Sequence, residues 1–160
     1  MAKWMFGPVD RMRVKGSKDP YRLTEKLPGG ATCRSCGLTV QQGRWTWSTP
    51  DKAAVSTTCP ACRRLEDDYP AGYLMLEGPF FGQKRKEIMN LVRNVAEAEK
   101  KEHPMERLMD VRKDGETTLI TTTGVHIARR LGESLKRSYR GDLKINYEDG
   151  EKRIRVSWFR

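Results

Sequence analysis

The sequence predicts an α+β protein in two folded parts, and three observations point that way. Four cysteines fall in two closely spaced pairs within one short stretch. Two segments of helical period follow, one long and one shorter. Strand-like runs joined by Asp-Gly turns fill most of the remainder. At 160 residues, with 37% hydrophobic and 32% charged side chains, the chain is one domain or two small ones with a modest core. The longest stretch without Lys, Arg, Asp or Glu, Thr117 to Ala128, is too short and too Thr-rich to cross a bilayer. The first residues carry Lys3, Arg11, Arg13 and Lys15 but no apolar run of the secretory kind, so a soluble cytoplasmic protein is expected.

Residues 1–30 hold seven bases and three acids among scattered Gly and Pro, without periodicity. They read as a basic, flexible N-terminal arm. Trp4 and Phe6 within it suit stacking on bases, docking on the folded body, or insertion into a partner's groove, and the sequence leaves these open.

Residues 31–69 contain every cysteine, Cys33, Cys36, Cys59 and Cys62. Two residues between cysteines let both sulfurs turn toward one point, so each pair is half of a tetrahedral site. The second pair, 22 residues on, completes a four-thiolate ribbon for one structural zinc ion. Gly37 suits the tight knuckle after the first pair. Such a closed site serves folding, and zinc stabilises a small module by on the order of 10 kcal/mol. A dithiol oxidoreductase needs a single pair at a helix start beside a strand, and disulfides need an oxidising compartment. Spacing alone leaves an iron–sulfur cluster open. Between the pairs, Arg44 to Ser48 alternates like a strand and puts Trp45 and Trp47 on one face, as a mini-core or as a base-stacking platform.

Residues 70–160 read as an α+β domain. Tyr73–Leu76 is a short buried strand closed by Gly78-Pro79. A helix from about Gln83 to His103 buries Ile88, Leu91, Val92 and Val95 and stops at Pro104. Leu108–Arg112 and Thr117–Thr122 flank Asp114-Gly115 as a hairpin, with untidy alternation on the first arm. The run Thr121-Thr122-Thr123 supplies an N-cap for a second helix, about Gly124 to Tyr139, burying Ile127, Ala128, Leu131 and Leu135. A two-residue turn at Asp149-Gly150 sets Leu143 against Val156, Ile145 against Ile154 and Tyr147 against Lys152. The opposite face then pairs Lys144 with Arg155 and Asn146 with Arg153. This order predicts a two-helix, four- to five-strand ferredoxin-like sandwich.

The net charge is +10, concentrated in residues 1–30 and 105–160, and favours a polyanionic partner. Arg129, Arg130, Lys136 and Arg137 on the second helix, with Lys144, Arg153 and Arg155 on the last hairpin, form the expected phosphate-facing surface, joined by Arg11, Arg13 and Lys15 of the arm. The glycines never fall in nucleotide-loop spacing. His103 and His126 are expected to be structural or exposed, and Asp67-Asp68 to cap or pair with Arg63 and Arg64. No nucleophile has an evident base, so no enzymatic activity is expected.

The Cys pairs, the run Asp67-Asp68-Tyr69-Pro70-Ala71-Gly72-Tyr73 and the run His103-Pro104-Met105-Glu106-Arg107-Leu108-Met109 resemble small bacterial zinc-ribbon proteins of a low-oxygen-activated locus. Cys59–Arg64, Gly124–Gly132 and Ile154–Trp158 resemble the archaeal and eukaryotic export adaptor of the large ribosomal subunit, which carries more cysteine pairs and further domains. The resemblance implies contact with ribosomal RNA or ribosomal proteins, as a low-oxygen or stationary-phase factor of the hibernation type. The expectation is a non-catalytic, monomeric RNA-binding protein. A protein-binding adaptor using Trp4, Phe6 and the ribbon, or a DNA-binding regulator reading with the second helix, are the alternatives.

Overall fold

The computed structural model describes residues 21, 30–49, 55–148, 150 and 152–160. The expected arm, with Trp4, Phe6, Arg11, Arg13 and Lys15, lies outside the described residues.

The cysteine-bearing part is built from short strands and about two turns of helix. Strands β1 (Thr32–Cys33), β2 (Thr39–Gln41), β3 (Arg44–Thr46) and β4 (Ser56–Thr57) form a sheet ordered β3-β2-β1-β4. Helix α1 (Pro60–Glu66) follows. This differs from the two matching knuckles of a ribbon, because the second cysteine pair lies on a helix start. Pro60 has no N–H to lose and a fixed φ suited to the first helical position, and the Cys59 side chain caps the turn.

The larger part begins with β5 (Gly72–Glu77), then α2 (Pro79–Glu102), β6 (Leu108–Asp114), β7 (Thr117–Thr122), α3 (Val125–Tyr139), β8 (Asp142–Glu148) and β9 (Arg153–Phe159). The sheet order is β6-β7-β5-β9-β8, with β5 antiparallel to β7 and parallel to β9. The strand–helix–strand–strand–helix–strand succession therefore carries one further strand, β9, between β5 and β8. Even-numbered residues of β5 and β9 face the helices. Leu74, Leu76, Ile154, Val156 and Trp158 pack there against Ile88 and Val92 of α2 and Ile127, Leu131 and Leu135 of α3. Each fully buried leucine contributes about 1.5–3 kcal/mol. Trp158 is wholly buried, and its Nε1 donates to the Arg140 carbonyl at 2.7 Å.

Local details depart from expectation for identifiable reasons. Helix α2 starts at Pro79, earlier than its amphipathic pattern indicates, and leaves helical geometry at Lys84, beside the expected start. Gly78, at φ 110°, lies against the Arg160 backbone, where a Cβ would collide. The untidy arm of the first hairpin is a register shift in β6 between Leu108 and Asp110, and the turn closes on Asp114 opposite Thr117. The last hairpin is shifted by two residues. Leu143 opposes Trp158, Ile145 opposes Val156 and Tyr147 opposes Ile154, so residues 149–152 form the connection. A two-residue shift keeps each face while bringing Trp158 into the core. It also removes the anticipated like-charge pair of Lys144 with Arg155, since Lys144 faces Ser157, Asn146 faces Arg155, and Glu148 faces Arg153.

Gly72 marks the closest approach of α3 to the sheet. A Cβ there would lie 2.7 Å from the Ala128 Cβ, 2.2 Å from Thr122 Oγ1 and 2.9 Å from the Gly124 carbonyl oxygen. Gly72→Ala is expected to destabilise the protein by about 2–3 kcal/mol through overpacking, read as a lower urea midpoint with an unchanged slope.

Candidate metal centre

The knuckle between β1 and β2 presents the first two thiols. The Cys33 N–H donates to the Leu38 carbonyl at 2.7 Å, and Gly37, at φ 79°, returns its N–H to the Cys33 carbonyl at 2.9 Å. Helix α1 presents Cys59 at its cap and Cys62 in its first turn. The four sulfurs lie within 4.8 Å of one another, and Cys36 and Cys59 Sγ are 3.7 Å apart. A tetrahedron with metal–sulfur bonds near 2.3 Å has edges of about 3.8 Å. The donor set therefore fits a tetrahedral metal ion, and all four thiols are free of disulfides.

Backbone N–H groups already point at the sulfurs, from Cys59 to Cys33 Sγ at 3.2 Å and from Cys62 to Cys59 Sγ at 3.4 Å. Burial pushes the Cys59 and Cys62 thiols above their ordinary range. Burial acts the same way on Cys33, but the backbone N–H groups of Cys59, Cys36 and Ser35 outweigh it and bring that thiol down to about 6. Leu38, Ala61, Trp45 and Met105 enclose the cluster.

Arg107 was not anticipated as part of this site. It enters the α+β domain just before β6, is 6% exposed, and turns its guanidinium back to the cysteines. Nη1 donates to Cys62 Sγ at 3.4 Å, and Nη2 to Cys36 Sγ at 3.3 Å and Cys59 Sγ at 3.8 Å. Nε donates to the Pro104 carbonyl at 2.7 Å. Its backbone is clamped by Thr123, whose hydroxyl accepts the Arg107 N–H at 2.9 Å and whose own N–H donates to the Arg107 carbonyl at 2.9 Å. Thr123 is thus a clamp, and Gly124 is the N-cap of α3, without a side-chain cap bond. Glu106 supplies the missing acceptor instead, its Oε2 taking the Ile127 N–H at 3.1 Å.

A groove of about 1390 Å³ opens beside the metal centre, between the β2–β3 hairpin and the ends of α2 and α3. It gathers five of the residues singled out from the sequence: Trp45, Trp47, Arg129, Arg130 and Arg137. Trp45 packs on the cysteine cluster, while Trp47 is 45% exposed and donates from Nε1 to the Lys100 carbonyl at 3.0 Å. The Arg107 guanidinium lies 5.8 Å from the Trp47 ring centre. Arg129 pairs with Glu133 at 2.8 Å, and Arg130 with the buried Glu99 at 2.6 Å.

The other expected phosphate contacts lie elsewhere. Lys136 is exposed on the last turn of α3, outside the groove lining. Lys144, Arg153 and Arg155 alternate onto the sheet face turned away from the helices, so they share no surface with α3. Arg153 is buried, at 6% exposure, and Arg155 pairs with Glu148 at 2.7 Å. Asp67 is the C-cap of α1, as expected, and accepts the Tyr21 hydroxyl, whereas Asp68 pairs with Arg112 on β6 rather than with Arg63 or Arg64. Arg64 is instead buried, against the Tyr21 and Tyr69 rings. Among the described residues no helix is long and apolar enough to cross a membrane.

The chain matches no protein-family model, no curated protein and no solved structure.

Arg107→Met is expected to weaken metal affinity 10- to 100-fold while the α+β core still folds, measured by competition with a chromophoric chelator. Metal uptake should release protons, because the raised Cys59 and Cys62 thiols must ionise to bind. Apparent affinity should accordingly fall as pH is lowered, in the same competition repeated across pH.

Proposed function

We propose that this is a zinc-stabilised RNA-binding protein that acts by binding, without catalysis, and whose natural target is the ribosome. Zinc is the ion favoured by four thiolates in a closed tetrahedral set, and its part is to hold the cysteine module in shape. What supports RNA as the ligand is one observation: two tryptophans of the hairpin and three arginines of α3, far apart in sequence, line the same open groove. Indole rings offer stacking faces of about 1–3 kcal/mol per base, and the arginines offer phosphate contacts. Arg44 and Lys101 line the groove as well, and these two with Arg137 have no ion pair among the described residues, which leaves them available to phosphates. The ribosome as target rests on the resemblance of Cys59–Arg64, Gly124–Gly132 and Ile154–Trp158 to the export adaptor of the large ribosomal subunit.

Sedimentation of the tagged protein through sucrose gradients tests the target. Co-migration with ribosomal particles at low salt, lost at high salt and after nuclease, is expected, and a protein that stays at the top in every condition refutes it. Lys101→Glu with Arg137→Glu should lower affinity for single-stranded RNA at least about tenfold. Lys144→Glu, on the far face of the sheet, should leave it nearly unchanged, by fluorescence anisotropy at fixed salt.

A further inference from the structure

A second cavity, of about 470 Å³, lies against the groove, and Gly43, Trp45, Met105, Glu106 and His126 belong to both linings. Beyond these shared residues the cavity reaches Val125, at the start of α3, and Lys152, in the connection between β8 and β9. The Asp, Glu, Lys and Arg side chains that line it, among the described residues, are Arg64, Glu106 and Lys152. Arg64 is buried and donates to the Tyr69 carbonyl at 3.0 Å, and Glu106 is engaged by the Ile127 N–H. Lys152 is exposed, which puts its ammonium within reach of a ligand arriving from solvent.

The same hairpin carries an aromatic ring that the fold leaves largely uncovered. Tyr147 opposes Ile154, so it stands on the face of the sheet where the helices pack. It is nevertheless 42% exposed, because β8 is the edge strand on that side. Among the described residues no other aromatic ring packs on it. Its hydroxyl accepts from Arg129 Nη1 at 3.3 Å, and Arg129 is itself a groove residue. The neighbouring arginines of α3 thus reach to different places, Arg130 to Glu99 of α2 and Arg129 to the last hairpin. Glu148, next to Tyr147 in the chain, turns to the opposite face and pairs there with Arg155 at 2.7 Å.

Resting on the groove as the RNA site, we propose that this site continues past the start of α3 onto the β8–β9 hairpin, where Tyr147 stacks on a further base and Lys152 contacts a further phosphate of the same single strand. The groove and the hairpin are linked twice, through the shared lining of the two cavities and through Arg129. A ring on the surface takes only an unpaired base, so the extension serves single-stranded rather than duplex RNA. Arg129 holds the hydroxyl before RNA arrives, which lowers the ordering cost of stacking on the ring.

The test is fluorescence anisotropy of a rhodamine-labelled 12-nucleotide oligouridylate across a salt series. The native protein is compared with Tyr147→Leu, Tyr147→Phe and Lys152→Gln, each checked for an unchanged circular dichroism spectrum. Leucine keeps apolar bulk on the strand without a ring, and phenylalanine keeps the ring without the hydroxyl. Tyr147→Leu should weaken binding at least about fivefold, and Tyr147→Phe should stay within about twofold of the native protein. Lys152→Gln should lower the log–log salt slope by about 0.7, one phosphate contact on a single strand. Native affinity in Tyr147→Leu, or a native slope in Lys152→Gln, overturns the extension and leaves the groove reading standing. So does a loss in Tyr147→Phe as large as that in Tyr147→Leu, since the hydroxyl's hold on Arg129 then accounts for it. A native protein that does not bind the oligonucleotide overturns both.

Discussion

One buried guanidinium ties the molecule together. Four thiolates around a divalent ion carry an excess of negative charge, and Arg107 brings a positive one to within 3.3–3.8 Å of three of the sulfurs. A charge this deeply covered would be costly alone, and costlier still if its partners were removed. It is acceptable because every direction it points has an acceptor, the sulfurs on one side and the Pro104 carbonyl on the other. Since Arg107 belongs to the β6 side of the fold and the cysteines to the other sheet, the metal site is completed across both parts.

The consequences run outward from that contact. Thr123 holds the Arg107 backbone and stands immediately before α3, so the start of that helix is fixed relative to the metal centre. Glu106, next in the chain, caps the same helix through Ile127. Trp47 lies over the Arg107 guanidinium and hydrogen-bonds to the last turns of α2. The two walls of the groove, hairpin and helices, are thereby set at a fixed separation by interactions radiating from one side chain. A metal ion held by these four cysteines would therefore bear on the shape of a surface beyond its own module.

The same packing explains why the basic residues divide into two groups. Helix α3 lies on one face of the sheet, and strand alternation sends Lys144, Arg153 and Arg155 to the other. Arg129, Arg130 and Arg137 on α3 line the groove with Trp45 and Trp47, while Lys136 lies outside it. Arg153 and Arg155 are drawn into the fold's own covering and pairing. Net charge placed the basic excess in residues 1–30 and 105–160, but it could not distinguish arginines that line a groove from an Arg155 paired with Glu148 and an Arg153 that is buried.

Local chemistry was legible in the sequence. The Cys-x-x-Cys spacing identified all four candidate metal ligands, because two-residue spacing alone makes adjacent sulfurs converge. Helical periodicity found α2 and α3, and alternation around Asp-Gly placed both hairpins, since these signals depend on neighbours a few residues apart. Cys59-Pro60 also carried an unread signal of a helix start. Only the tertiary structure decided the rest. The last hairpin's register depends on Trp158 finding its place in the core, the position of β9 between β5 and β8 on long-range pairing, and the role of Arg107 on sulfurs 45 to 71 residues away. Each of these is set by contacts between residues that no local pattern relates, and the energy that chooses them appears only when the chain is closed on itself.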